Sequence, residues 1–358
     1  IDKNVVNKII RTVDPQQLPI TSLFPEGGKL VKGRVNTIAA KSINSQGLGI
    51  QSNVLIKQGT DTLGIFETNM LGMGAISVFL NDNTPLETYA IYPDGTKVTI
   101  EAPPVHDSGF SLSVNNLNES KLFTQLNVSA DLQDNSDVYF VVHHLGEVLF
   151  VSKSKLNKDE LVFTVDKQKL SSGVMTISIL NNQFQPIIER PIFHHQANSS
   201  LKNKVLFNKP AFGIREKVQV KIQVGNGADS TGMGAYSASV IDLSKVNTSY
   251  AQEANILSSL LLSNDIKGHI ENPNFYFNAD GTVKAIELDH LLLTLGWRNI
   301  DWSAVGLAVK AKYQPEKSLK ISGYTKKIGR SKPEPNAQVQ LISTKNFLDY
   351  IDTISNDE

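Results

Sequence analysis

Residues 88–100 read Thr-Tyr-Ala-Ile-Tyr-Pro-Asp-Gly-Thr-Lys-Val-Thr-Ile. Two short β-prone runs, Thr88 to Ile91 and Lys97 to Ile100, flank the turn Tyr92-Pro93-Asp94-Gly95. Pro presets φ and Gly accepts the positive φ that other residues resist, so the chain reverses here. Working outward, the same style fills the stretch from Leu23 to about Pro104. Lys29 to Val31, Val35 to Ala40, Val54 to Lys57, Gly64 to Glu67 and Ala75 to Leu80 are short apolar runs at the spacing of β-sandwich strands.

A linker-like Val105-His106-Asp107-Ser108-Gly109 leads into a second unit of the same kind, expected to span 105–198. Its strands are Phe110 to Val114, Leu122 to Ala130, Val138 to His143, Glu147 to Val151, Leu161 to Val165 and Val174 to Leu180. It closes at Pro186 to Phe193, before the polar Gln196-Ala197-Asn198-Ser199-Ser200. A third unit, 199–316, starts as β with Lys204 to Phe207, Lys217 to Val224 and Ala235 to Asp242. The period then changes. Ser249-Tyr250-Ala251-Gln252 has capping-box spacing, and Tyr250, Ala254, Leu257 and Leu261 share a helical face with Leu260 beside them, up to a stop at Gly268. A second helix is expected from Val283 to Leu295, with Ala285, Leu288, Leu292 and Leu295 on one face and Gly296 ending it. Two amphipathic helices inserted at 249–296 must bury their stripes on each other or on a sheet.

The fold class expected is therefore mainly β, tandem β-sandwiches, the third with a two-helix insertion. Residues 1–22 read as a linker or the last strand of a preceding module, and 23–104 as the first sandwich. The tail 317–358 carries strands at Ile321 to Tyr324, Ala337 to Ile342 and Leu348 to Thr353. That is too little β sequence for an independent core, so it reads as an incomplete module. The chain starts Ile1-Asp2-Lys3 without Met and is expected to be a segment of a longer protein. Leu71-Gly72-Met73-Gly74-Ala75 is echoed by Thr231-Gly232-Met233-Gly234-Ala235, which fits related modules in tandem.

Composition narrows function by exclusion. The 358 residues hold 35 Lys+Arg and 35 Asp+Glu, a net charge of zero, without the basic footprint of a nucleic-acid binder. The absence of Cys excludes disulfides, thiolate zinc sites, Cys nucleophiles and thioesters. No apolar run approaches the roughly 20 residues of a membrane helix, so no membrane insertion is expected in this segment.

Leu23-Phe24-Pro25-Glu26-Gly27-Gly28-Lys29-Leu30 with the Leu71-Gly72-Met73-Gly74 turn resembles macroglobulin-type modules of large Gram-negative envelope proteins. Ile256 to Ile270, Glu271-Asn272-Pro273-Asn274-Phe275-Tyr276-Phe277 and Leu291-Leu292-Leu293-Thr294-Leu295-Gly296-Trp297-Arg298 with Trp302 look like a helical signature of the same proteins. Ile321-Ser322-Gly323-Tyr324 with Pro335-Asn336-Ala337-Gln338-Val339-Gln340-Leu341 resembles the opening of a carboxypeptidase-regulatory-like module. In that family such modules often precede the plug of a TonB-dependent receptor. The resemblance implies that the tandem sandwiches are macroglobulin- or immunoglobulin-like, and that the chain is a non-catalytic structural or interaction arm of a cell-envelope protein, periplasmic or outer-membrane-associated and connected with TonB-dependent transport. Its partners would be other envelope proteins or the remaining domains of its own chain. The alternative is a surface adhesion or glycan- or peptide-binding protein.

No HExxH, nucleophile elbow, Walker loop or dinucleotide fingerprint occurs, so no catalytic residue, metal or cofactor is expected. His143-His144 and His194-His195 are adjacent pairs whose side chains would point to opposite faces of a strand, which defeats chelation by either pair. Asn278-Ala279-Asp280-Gly281 with Glu287 matches half of a calcium loop, but Tyr276 stands at the first ligand position, and a turn before a helix is the preferred reading. The binding candidates are the aromatic residues Phe275, Tyr276, Trp297 and Trp302, which could stack on a sugar or peptide. The competing reading is that they pack the helices onto a sheet, since exposed aromatic patches are costly unless covered.

Overall fold

The computed structural model describes residues 18–196, 203–213, 215–224, 240–242, 244–245, 253–278, 281–295, 302, 323–329, 332–342 and 350–356. Two compact units divide the chain, residues 1–305 and 306–358.

The chain is mainly β. In the first sandwich β1 (Ile20–Pro25), β3 (Arg34–Ile43) and β6 (Met73–Leu80) form one antiparallel sheet in the order β1-β3-β6. The facing sheet runs β5-β4-β7-β8, from β4 (Asn53–Gln58), β5 (Asp61–Glu67), β7 (Leu86–Ile91) and β8 (Lys97–Ile100). Alternate residues of both sheets, Ile38, Ala40, Val78 and Leu80 against Val54, Ile56, Ala90 and Ile100, meet in a shared core. The turn before β8 is the one legible in sequence, with Gly95 at φ +84° and the Asp94 carboxylate accepting from Thr96 N.

The second sandwich repeats the plan. β10 (Phe110–Asn115), β11 (Lys121–Val128) and β14 (Glu160–Asp166) form one sheet. β12 (Asp137–His144), β13 (Glu147–Lys155), β15 (Gly173–Leu180) and β16 (Pro186–His194) form the other, in the order β13-β12-β15-β16. Phe140 stacks on Phe163 across the core, ring centroids 4.7 Å apart. β15 is buried at every position, although a sandwich strand ordinarily wets its outer face. Met175, Ile177 and Ile179 fill the sandwich core, while Val174 on the opposite face joins a separate cluster with the helical segment.

The residues between the sandwiches are not a slack tether. β2 (Leu30–Val31) pairs in parallel with β9 (Val105–His106), Lys32 reaches Asp107 at 2.5 Å, and Gly109 N donates to Ser129 Oγ. Gly27, at φ +79°, brings the β1–β2 turn so close to the second sandwich that a Cβ there would lie 3.3 Å from Ile188.

Beyond β16 the described residues hold the hairpin β17 (Asn203–Phe207) and β18 (Val220–Val224), then the helical segment. Its first piece is α1 (Ile256–Ser258) running into a π-type turn, Ser259–Ser263, and its last is α2 (Ala285–Thr294), with a 3-10 turn at Pro273–Tyr276 between them. The capping box expected at Ser249 to Gln252 lies outside the described residues. Described instead is a box six residues further on, in which Asn255 Oδ1 accepts from Ser258 N and Ser258 Oγ from Asn255 N. The wide turn, with Asn264 N donating to Ser259 O, rephases the stripe, so Leu262 is buried and Leu260 faces out. Gly268 does not end this helix; it lies in the bend that follows, at φ +115°. Gly296 lies outside the described residues, as does the echo at 231–235.

In the other unit, β19 (Gln338–Ile342) pairs antiparallel with β20 (Tyr350–Ile354), and Ser355 closes the hairpin by bonding Ala337 N and Glu334 O.

Candidate functional site

The helical segment is wedged against both sandwiches. α2 packs on β16 of the second and on β6, β3 and β1 of the first. Leu262, Ile266, Leu288 and Leu292 of the segment share one buried cluster with Leu71 and Met73 from the first sandwich and Val174 and Phe193 from the second. Of the stripes expected from helical period, Leu257, Leu261, Leu288, Leu292 and Leu295 pack into this cluster, Ala254 and Ala285 are exposed, and Tyr250 lies outside the described residues.

At the centre stands Arg190, fully buried on β16 between Ile188 and Ile192. Its Nε donates to Glu26 of the β1–β2 turn at 2.8 Å and its Nη2 to Asp289 of α2 at 2.7 Å, and Nη1 meets the Pro191 carbonyl. One guanidinium thus joins first sandwich, second sandwich and helix. Burial opposes its charge, but the two carboxylates outweigh that and hold its pKa up. Glu26 is pushed above the usual carboxylate range: burial, helped by repulsion from Asp289, exceeds the attraction of Arg190. Two acids share one cation, so Glu26 carries the surplus.

Further bonds surround this centre. Gly49 N donates to Glu271 at 2.8 Å, Lys41 Nζ to the Leu71 carbonyl at 2.5 Å, and His144 Nε2 lies 3.4 Å from Asp265. Arg34 Nη2 donates directly across the sandwiches to Val128 O at 3.0 Å.

Of the aromatic candidates, Tyr276 is 1% exposed and belongs to the buried cluster. Phe275 packs edge-on to Tyr276 and is covered by the Lys284 ammonium, 3.6 Å from its ring centre. Trp302, half-buried, donates from Nε1 to Glu189 at 3.1 Å and meets His143 edge-on. Trp297 lies outside the described residues. Phe275 and Tyr276 thus belong to the cluster under the helical segment, while Trp302 lies against β12 and β16 of the second sandwich. Asn278 N bonds Thr282 O in a turn that closes the Phe277–Val283 bridge ahead of α2, and Asp280 lies outside the described residues.

Ser178, His143 and Glu189 do come together, yet not as a nucleophile set. Ser178 Oγ donates to Glu189 at 3.1 Å and contacts His143 Nε2 at 3.2 Å, and the hydroxyl is fully buried. Glu189 thus accepts from the serine itself, an order of contacts that differs from the nucleophile–base–acid relay of a hydrolase triad. Among the described residues no three His, Asp or Glu side chains are grouped to hold a metal, and no helix is long and apolar enough to cross a membrane.

Beside the junction is a cavity of about 240 Å³ between the β10–β11 loop, the end of β16 and the first turns of α2. Lys167, Asn116, His194, His195 and Asp289 line it. His194 is held down to about 4 by burial first and then by the Lys167 charge, and His195 and His290 are lowered by burial too. The ordinary value is 6.5, so between about pH 6.5 and about pH 4 the unfolded chain takes up protons that folded His194 refuses. Stability is full above that window and falls as the pH drops through it, by less than complete burial would give because His194 keeps partial contact with solvent. Urea midpoints at pH 7 and 4.5 check this. His194→Gln should flatten the fall, and an unchanged fall would exclude His194 as its source.

Sequence reasoning missed Arg190, Glu26 and Asp289, which are 164 and 99 residues apart from one another through Arg190. The available signal was a charge at a core-parity position of an apolar strand, between Ile188 and Ile192.

No family model matches the chain, and no curated protein matches it. Solved structures similar to it include the D0-D1 domain of intimin, at 13% identity over 48% of this chain and 96% of that one, with a TM-score of 0.21. E. coli alpha-2-macroglobulin is 9% identical over 60% of this chain and 20% of that one, TM-score 0.22. Invasin, a bacterial integrin-binding protein, is 12% identical over 54% of this chain and 43% of that one, TM-score 0.22.

Proposed function

We propose that the chain is a non-catalytic structural and interaction arm of a larger bacterial cell-envelope protein, its sandwiches held at a set angle by the helical wedge. The observation that carries this is Arg190, bonded within one buried network to the first sandwich, the second sandwich and α2. Modules joined only by a linker reorient freely. Here the passage at 105–109 is paired on both sides, and an apolar cluster closes the angle between them. The envelope setting, and the link to TonB-dependent transport, rest on the resemblance of the Leu23–Leu30 and Leu71–Gly74 stretches and the tail to modules of such proteins.

Residual dipolar couplings on the full chain test the arm. One alignment tensor should fit both sandwiches, and two independent tensors would refute a rigid spacer. Fractionation of cells expressing the tagged gene tests the setting, and recovery in the cytosol alone would remove it.

A further inference from the structure

Lys167 is 8% exposed, and its ammonium makes one hydrogen bond, to the Asn116 carbonyl at 2.7 Å. Among the described residues no carboxylate pairs with it. A buried cation without a counter-ion is expensive, and burial alone accounts for the lowering of its pKa. Around it are buried polar atoms that the protein leaves without hydrogen-bond partners: Asn116 Oδ1 and His194 Nε2. Asn116 is held in place by its own amide, which donates to the Phe193 carbonyl at 2.6 Å. Asp289, on the other wall, gives Oδ1 to Arg190 and has a second oxygen to spare. The cavity thus offers a cation and the neutral His194 imidazole to an anion, and an amide oxygen and the carboxylates of Asp289 and Glu119 to a donor.

We propose that this cavity binds a small carboxylate bearing an N–H on its α-carbon, either a free amino acid or the C-terminal residue of a peptide. The carboxylate takes Lys167, with the Nε2–H tautomer of His194 beside it, and the N–H takes Asn116 Oδ1. A neutral sugar would leave the ammonium uncompensated. The volume of about 240 Å³ suits one residue and lies below the usual range for drug-sized ligands. The site is independent of the arm reading, since a rigid spacer needs no ligand here.

NMR titration of the full chain at pH 7 with alanine, N-acetylalanine, acetate and alaninamide tests it. Saturable shifts at Asn116, Lys167 and His194 are expected with alanine or N-acetylalanine, at least about tenfold tighter than acetate, and none with alaninamide. Tighter alanine identifies a free amino acid, tighter N-acetylalanine a peptide terminus. Lys167→Gln keeps a donor for the Asn116 carbonyl and should weaken binding at least about tenfold. Should that variant not fold, Asn116→Ala should reduce alanine to the affinity of acetate. No saturable shift with any carboxylate, unchanged binding in Lys167→Gln, acetate equal to both N–H probes, or an undiminished preference in Asn116→Ala would each overturn the assignment.

Discussion

Arg190→Ala is expected to destabilise the 1–305 unit by about 3–5 kcal/mol, the usual loss when one partner is removed from a buried ion network. Truncation strands Glu26, itself 4% exposed, with its carboxylate facing Asp289 and no cation between them. It also empties the space of a fully buried side chain. Glu26→Gln should cost less. Burial already holds that carboxyl above its ordinary 4.5, so the folded state tolerates its charge poorly, and the amide oxygen can still accept from Arg190 Nε. Urea unfolding of both variants checks the order. Near-equal losses would mean that the pair with Glu26, and not the shared guanidinium, holds the junction. The triple variant Arg190→Met, Glu26→Leu, Asp289→Leu separates stability from geometry. Apolar replacement of a whole buried network is often neutral or stabilising, so most of the loss should return. A change in the alignment tensors of the triple variant, despite recovered stability, would assign the network to the angle between sandwiches.

Gly72→Ala is expected to cost about 3–5 kcal/mol, for two separable reasons. The residue sits at φ +73°, which an L side chain adopts at about 1–2 kcal/mol. A Cβ there would also lie 2.0 Å from the Ser42 carbonyl oxygen, a backbone atom that cannot swing away. Ser42 and Gly72 approach because Ser42 N donates to Gly72 O at 2.8 Å, which seats the turn on β3. The flanking Leu71 and Met73 belong to the cluster under the helical wedge, so displacement there reaches the junction. Gly95→Ala is the control. At φ +84° with no atom within 4 Å of its Cβ position, it should lose only about 1 kcal/mol. Equal losses at the two glycines would show that φ alone matters and that the close approach relaxes.

Much of the fold was legible because period and turn chemistry are local. Thr88 to Ile91, the Pro93-Asp94-Gly95 turn and Lys97 to Ile100 needed no distant residue to be read as strand, turn and strand. α2 appears at Ala285–Thr294, within the predicted Val283 to Leu295, because its apolar spacing is strictly helical. The first helical piece was harder. Its box uses Ser258 where Glu or Gln is the usual signal, and the wide turn after it brings Leu262 inward beside the in-phase Leu257 and Leu261. Leu71-Gly72-Met73-Gly74 stood out as a motif, but the reason for Gly72 is a carbonyl thirty residues earlier in the chain.

Local pattern was enough to specify a mainly β chain of tandem sandwiches, two helical stripes that had to be buried, and aromatic side chains with either packing or binding to do. Tertiary structure alone decided where each of these goes. The stripes lie against both sandwiches, Tyr276 is inside, and Arg190 meets acids 164 and 99 residues away. The physical reason is that strand and helix propensities act within a few residues. Burial of a charge, a cavity around Lys167 and the contact of Gly72 with Ser42 exist only once distant segments exclude water from one another.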